Sequence, residues 1–452
     1  MQSLAVLTPR GIGLEFLVKT FSPSLDIDYL RCVIHYILSK LAMKIEAPKS
    51  GSETTNSTLE DYVSIYSKKL LVSHKKHSKH IRFLGETWIG KTNILFREDY
   101  SIGKSYSYKL SPNLEDKPLE VNSVKSGVLT GKFKVAQSKL NPVLFSTSGR
   151  YKFLGKYFNT ELLKIDMEQA TKQSQLGYET HRDYNKHLKE MASIVELYNG
   201  IYRTYYKCDK DARVHTNITR LNKTLRKYVT YNNRKLVEVD LSNSIIYFLA
   251  AVLLNRINVD NIAQLFPLLY IFNKSLASID FIEKELIWNL ATNGNFYDDY
   301  IGLFEQEYTT DKFERLYSKN NTDEYTGTYK QKRKVVKGVL LKMLFADTDQ
   351  YKMEQEIFRR KFPSLHNAIN SFKKSQGYKK FAHMLMQIES YYMLNVAARA
   401  FNREFFRVAP IFTLHDCLIT TIEYKDSLNK VMTTEFKREF GTAPKMTVEP
   451  WD

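Results

Sequence analysis

The sequence predicts an α+β fold with helices in the majority, and three observations lead there. Helical spacing of apolar residues recurs through residues 160–198 and 255–407. A short β-branched run, Leu236–Val239, delivers Asp240 into the polar corner Ser242-Asn243-Ser244, after which an apolar helix runs from Ile245 towards Leu254. Near the end of the chain, APIFTL and CLITTIEY alternate as a strand pair around the turn His415-Asp416. Taken alone, Asp240 reads either as a helix cap or as a rigidly held metal carboxylate.

Before these elements the chain divides into stretches of different character. Leu30, Val33, Ile34, Ile37, Leu38 and Leu41 predict a helix, with Asp26 and Asp28 at its start as caps rather than a nuclease pair. Residues 47–57 are polar and breaker-rich, so a linker or loop is expected there. LEDYVSIYSKKLLV and HKKHSKHIRFLGETWIG read as two helices, followed by the strand pair TNILFRED and SYSYKLS around residues 101–104. That is the outline of a winged helix, with Lys75, Lys76, Lys79 and Arg82 along its second helix. His74, His77 and His80 recur every third residue, but lysines lie among them and no acidic or thiol ligand does, so a solvated basic face is expected instead of a metal site. Residues 160–198 predict long charged helices that suit an arm along a duplex or a solvated support. From 198 to 231 tyrosines alternate with bases, among them Arg213, His215 and Arg220; such interleaving serves stacking and phosphate contacts, or a tyrosine core under a basic surface. The expected domains are 1–150 as an N-terminal accessory domain, 151–235 as a template-binding region, and 236–452 as the body that carries the strand-end aspartates.

Charge narrows the partners. Lys and Arg number 67 against 49 Asp and Glu, a net charge of +18 over 452 residues, which favours a polyanion, with nucleic acid ahead of an anionic membrane. The three cysteines, Cys32, Cys208 and Cys417, are far apart with no CxxC pair, so neither a disulfide framework nor a zinc ribbon is indicated. The longest apolar run is roughly half of a bilayer span, and the first residues carry no secretory pattern. A cytoplasmic protein with no membrane contact, working as a monomer, is expected.

Two strand-end aspartates enclose a large helical insertion, which itself carries Arg333 and Lys337 one helical turn apart. Phosphoryl transfer to a hydroxyl needs this kit: carboxylates for two Mg²⁺ ions and cations for a triphosphate. In this order the residues resemble those of the family A DNA polymerases and the single-subunit phage-type RNA polymerases. Asp240-Leu241-Ser242 with Leu249-Ala250 resembles their first palm motif, Arg333, Lys337, Phe345 and Ala346 resemble the fingers helix in spacing, and His415-Asp416 resembles the third motif. Arg213-Val214-His215-Thr216 is similar to the template-side segment, and Gln387 falls where a helix meets the minor groove of the duplex. The resemblance covers residues 198–452.

It implies a right-hand polymerase with an antiparallel palm sheet, helical fingers over about 255–380 and a thumb. It further implies Asp240 and Asp416 as ligands of two Mg²⁺ ions, with Mn²⁺ as a substitute. Arg333 and Lys337 would sit on the triphosphate, Lys337 as proton donor to pyrophosphate and Phe345 beside the nascent pair. Arg213, His215, Arg220, Gln387 and His415 would lie on nucleic acid. Partners would be a DNA primer-template or template and nucleoside triphosphates. The chain departs from the DNA polymerases at Ile245, where they carry glutamate, at Phe345, where they carry tyrosine, and at Cys417, where they carry an acid. Ile245 is bulky enough to gate the ribose 2′-hydroxyl, which favours DNA synthesis over the RNA polymerase or primase-like alternative. The first 198 residues hold no Asp-x-Glu proofreading pattern, so no exonuclease is expected. The alternatives of other classes are a non-catalytic DNA-binding replication protein and a metal-dependent nuclease; the nuclease has no use for the Arg333 helix.

Overall fold

The computed structural model describes residues 3–46, 62–64, 77–86, 93–98, 106–138, 149, 151–203, 205–206, 210–257, 266–319, 321, 323–406 and 408–452. These form a mixed α+β structure with antiparallel sheets. The chain makes two compact units. One comprises Met1–Tyr205, His215–Leu236 and Trp451–Asp452; the other comprises Tyr206–Val214 and Val237–Pro450. No described helix is long and apolar enough to cross a membrane. Cys32 and Cys417 are buried thiols, and the Cys417 thiol donates to the Leu414 carbonyl at 3.1 Å.

In the first unit the strand Leu4–Pro9, buried along its whole length, pairs with Leu119–Val124 in the register Leu4↔Val124 to Pro9↔Leu119. The helices Ile27–Glu46 and Tyr184–Tyr198 pack on this pair. Asp26 caps the first of them, its Oδ1 accepting the Tyr29 N–H at 3.1 Å, as the sequence predicts. Asp28 instead accepts the N–H groups of Lys125 and Ser126 at 2.8 and 3.2 Å. Both carboxylates are thus taken up in holding backbone.

The predicted strand pair is present as Leu95–Arg97 and Ser107–Leu110, and a third strand, Val63–Ser64, pairs with the other edge of Ser107–Leu110. That third strand corrects the helix expected over LEDYVSIYSKKLLV, because Val63 and Ser64 are extended; only residues 62–64 of that stretch are described. The 47–57 linker, His74, Lys75, Lys76 and the turn at 101–104 lie outside the described residues. The helix His77–Gly85 also departs from a wholly solvated basic face. Lys79 and Arg82 are exposed, but His80 is buried, its Nε2 accepting the Asp26 N–H at 2.9 Å and its ring edge-on to Tyr29 at 4.9 Å. Desolvation of that ring is offset by a hydrogen bond and an aromatic contact, which periodicity alone does not show.

The second unit is built around the strand Arg234–Leu241, whose part from Val237 onward pairs with Met446–Pro450, placing Asp240 opposite Thr447. On its other side lies the hairpin of Phe412–Leu414 and Cys417–Thr421, the latter next to the aspartate strand. The following helix, Ser244–Leu253, is buried on every face and packs against Phe281–Thr292 and Tyr378–Tyr391. Continuous apolar sequence rather than an amphipathic stripe is what such a position demands. Its Tyr247 and Phe248 join Trp288, Tyr392, Phe436 and Phe440 in one aromatic cluster, with Tyr247 stacked on Trp288 at 5.3 Å and Phe248 stacked on Tyr392 at 5.7 Å. The basic helix Tyr329–Phe345 buries Val336, Val339, Leu340, Met343 and Leu344 and turns Arg333 and Lys337 away from that stripe. A π-helical segment, Tyr392–Ala397, joins the helices Tyr378–Tyr391 and Ala398–Glu404.

Candidate active site

Asp240 is the seventh residue of its eight-residue strand and is half-buried. It does not cap the next helix: the N-cap residue is Asn243, in the left-handed region at φ 58°, with no side-chain cap hydrogen bond. The capping reading of Asp240 therefore falls. Asp416 occupies the second position of the tight turn His415-Asp416, and His415 supplies the positive φ of 56° that the turn requires. The Asp416 carbonyl accepts the Leu241 N–H at 3.3 Å, which fixes the hairpin tip beside the end of the aspartate strand.

Asp240 responds to the charge of Asp416. The Asp240 carboxyl is pushed from an ordinary 3.8 up to about 7, first by burial and then by the negative charge of Asp416, with Lys337 pulling the other way and Glu238 and Glu389 adding to the rise. Two neighbouring carboxylates with more negative charge than the groups around them neutralise are a donor set that suits a divalent cation. No three His, Cys, Asp or Glu side chains converge as a ready-made metal cage among the described residues. Two carboxylates whose remaining coordination comes from substrate oxygens and water fit Mg²⁺, which is usually bound that way.

The insertion residues are held by partners the sequence did not reveal. Arg333 Nε donates to both oxygens of Asp298 at 2.9 Å, and its Nη2 donates to the Gly294 carbonyl at 3.2 Å. Tyr329 also donates to Asp298, at 2.6 Å. Burial works to raise the Asp298 pKa, and the hydrogen bonds from Tyr329 and Arg333 outweigh it, so the carboxyl lies below its ordinary value. Gly294 has φ +76°, and a Cβ there would lie 2.9 Å from the Lys445 side chain and 3.5 Å from Ser242. The backbone that receives Arg333 can approach the Asp240 corner this closely because no side chain intervenes. Between the two cations lies Tyr297, fully buried, its ring 5.9 Å from both the Arg333 guanidinium and the Lys337 ammonium.

A second cluster adjoins Asp416. Ser244 Oγ lies 3.1 Å from Asp416 Oδ2 and 2.9 Å from Glu389 Oε2, and the other Glu389 oxygen accepts from Arg213 Nη2. Burial pushes the Glu389 carboxyl up, against the pull of Arg213 and with the push of Asp416. For Arg213, burial opposes the charge but Glu389 prevails and raises its pKa.

The structure thus brings together Asp240, Asp416, Lys337, Arg333 and Arg213, with Ile245 buried one residue beyond Ser244. Phe345 ends the basic helix and is half-buried, with Ala346 buried at its C-cap. Gln387 is half-buried two residues before Glu389, and His415 is exposed at the hairpin tip. His215 and Arg220 belong to the first unit, where Arg220 pairs at 3.1 Å with buried Glu196, which also binds Arg203 at 2.8 Å. Sequence reasoning missed Glu389, Ser244, Tyr297 and Asp298. For Glu389 a signal existed, an acid within the apolar stripe of Phe381, Leu385, Ile388 and Tyr392.

No protein-family profile matches the chain, and no curated protein sequence matches it. Among solved structures there is a weak likeness to the POL domain of Pol1 from M. smegmatis, in complex with DNA primer-template and dNTP, at 10% identity and a TM-score of 0.24. The match covers 71% of this chain and 66% of that one, so the chain spans slightly less than two thirds of that domain's length.

Proposed function

We propose that the chain is a template-directed nucleotidyltransferase, most simply a DNA-directed DNA polymerase without a proofreading nuclease. The observation that carries this reading is the juxtaposition of two strand-end carboxylates with Lys337 of the basic helix, expressed in the raised Asp240 pKa and the opposing influence of Lys337. A helix cap needs one acceptor and a core ion pair one acid with one base; an excess of acid where neighbouring strands end suits a cation-dependent phosphoryl transfer.

In this reading Asp240 and Asp416 would hold the divalent cations. Bound Mg²⁺ supplies Lewis-acid activation of the attacking hydroxyl and charge neutralisation at the leaving pyrophosphate. Arg333 presents its guanidinium to the triphosphate in an orientation set by Asp298 and Gly294. Lys337 lends its charge to the same phosphates and can deliver a proton to the departing pyrophosphate. Ile245 shapes the sugar end of the site and Phe345 the base end. Arg213, Gln387 and His415 track nucleic acid, and the surplus of positive charge supports non-specific affinity for it. Residues 236–452 are assigned as palm and fingers, 151–235 as the thumb and template-binding region, and 1–150 as the accessory domain.

The test is extension of a 5′-labelled primer on a DNA template with Mg²⁺, with dNTPs and NTPs in separate reactions. Asp240→Ala and Asp416→Ala are each expected to abolish extension while duplex binding, measured by anisotropy, stays near wild type, because phosphate contacts supply most of the affinity. Full extension by either variant, or none by the wild-type chain with either nucleotide set, sinks the reading. Extension with NTPs alone would make it an RNA polymerase.

A further inference from the structure

Glu389 is completely buried, yet its carboxylate is divided between two groups with different tasks. One oxygen takes the Arg213 guanidinium and the other lies 2.9 Å from Ser244 Oγ, which is itself 3.1 Å from Asp416. A hydroxyl has one proton, so Ser244 can donate to only one of the two acids at a time, and the position of each carboxylate depends on the other. The next residue of the same helix acts on the same loop: Ser390 Oγ donates to the Ala212 carbonyl. Ala212 has φ 51°, a left-handed conformation that is costly for a residue with a Cβ, and Asp211 Oδ1 accepts the Arg213 N–H at 3.1 Å. Two consecutive residues of one helix therefore clamp a strained loop so that Arg213, although mostly buried, keeps 17% of its side chain open to solvent.

We propose that Glu389 is a positioning residue which orients Arg213 towards nucleic acid and, through Ser244, holds the Asp416 carboxylate for a divalent cation. The inference rests on the assignment of Asp416 as a metal ligand. A pair serving the fold alone needs the Arg213 bond but not the hydroxyl bridge to Asp416. Outer hydrogen bonds of this kind fix a ligating carboxylate before the cation arrives.

The experiment uses the full chain without nucleotide, at a temperature where circular dichroism shows each variant folded. Mn²⁺ binding is followed by electron paramagnetic resonance, and binding of a primed DNA duplex by anisotropy at fixed salt. Glu389→Gln is expected to weaken Mn²⁺ binding roughly tenfold or more, the usual size of such an outer-shell loss. It is also expected to weaken DNA binding about tenfold, the size of one charge-assisted hydrogen bond. The DNA effect should be largely absent when Arg213 is already alanine, since the two residues act as one unit. Ser244→Ala separates the arms, weakening Mn²⁺ binding with little change in DNA binding, and it decides the matter if Glu389→Gln does not fold. If Asp416→Ala leaves Mn²⁺ binding untouched, the metal assignment fails and the inference with it. If Asp416→Ala removes that binding while Ser244→Ala and every folded Glu389 variant stay within about twofold of wild type, the metal assignment stands and the inference alone is overturned.

Discussion

Asp298 accepts the Arg333 Nε–H on both carboxylate oxygens at 2.9 Å while Tyr329 donates to the same acid at 2.6 Å. Among the described residues the hydrogen bonds take up the Nε edge and part of Nη2, so the acid orients the guanidinium without covering it. Misplacement of a binding group by about 1 Å can cost on the order of 100-fold in rate. Arg333 would retain Gly294 and Tyr297 after loss of Asp298, so a smaller effect is expected. Asp298→Asn should raise the nucleotide KM about tenfold and lower kcat less, as befits a lost orientation of a ground-state contact. Steady-state primer extension measures both. A fall in KM would show instead that Asp298 competes with the triphosphate.

The raised Asp240 pKa has a definite sign for stability. The folded chain holds a proton up to about pH 7 that an unfolded aspartate releases near its ordinary 3.8. Between those values the folded state binds more protons, so stability falls as pH rises through this window and levels off above it. Thermal unfolding with chelator present should show that fall, and Asp240→Asn should remove its share of it and leave the variant more stable than wild type at pH 8. A cation that binds the ionised carboxylates opposes the trend, so Mg²⁺ should stabilise more at pH 8 than at pH 6. Equal slopes for wild type and Asp240→Asn would place the cause elsewhere.

Both ends of the candidate site were legible in the sequence because they are local. Alternation marks a strand, and a tight turn or polar corner marks where it delivers Asp240 or Asp416; a four-residue step puts Arg333 and Lys337 on one helical face. What holds them was not legible. Arg213 and Glu389 are 176 positions apart and Arg333 and Asp298 are 35 apart, and no periodicity links such pairs. Local pattern misled where tertiary pairing decided: Val63 and Ser64 sit in a helix-compatible stretch but complete a sheet against Tyr108 and Ser107. His80 lies among basic residues yet is drawn inward to accept the Asp26 N–H.

Ile245 tests the sugar preference. It follows Ser244 in the buried helix and is 8% exposed, so its side chain keeps a small open edge. If that edge excludes a 2′-hydroxyl, Ile245→Ala should raise incorporation of ribonucleotides relative to deoxyribonucleotides by roughly 10- to 200-fold, the range a pocket gains from one or two methylene groups. Truncation of a buried isoleucine also costs about 2–5 kcal/mol of stability, so the ratio of kcat/KM values, not the absolute rate, is the measurement. An unchanged ratio would remove Ile245 from sugar selection.

Lys373 gives a second pH dependence, of opposite sign and distinct origin. It is 4% exposed, donates to the Met343 carbonyl at 3.1 Å in the last turn of the Arg333 helix, and stands 5.9 Å from the Phe381 ring. Burial pushes its ammonium down to about 8, against a smaller pull from Asp347. The unfolded lysine keeps its proton to about 10.5, so between these values the unfolded state binds more protons and stability rises with pH. Below pH 8 the folded chain carries a buried charge anchored by a helix-end carbonyl, a favourable but partial compensation. Lys373→Met keeps the volume and removes the charge. It should therefore flatten the rise between pH 8 and 10 and leave stability at pH 7 unchanged or higher, as replacement of buried charge by a well-packed apolar side chain often does. Chemical denaturation at pH 7, 8.5 and 10 reads this directly. A loss of several kcal/mol at pH 7 would mean that the helix end depends on the ammonium more than its burial penalises it.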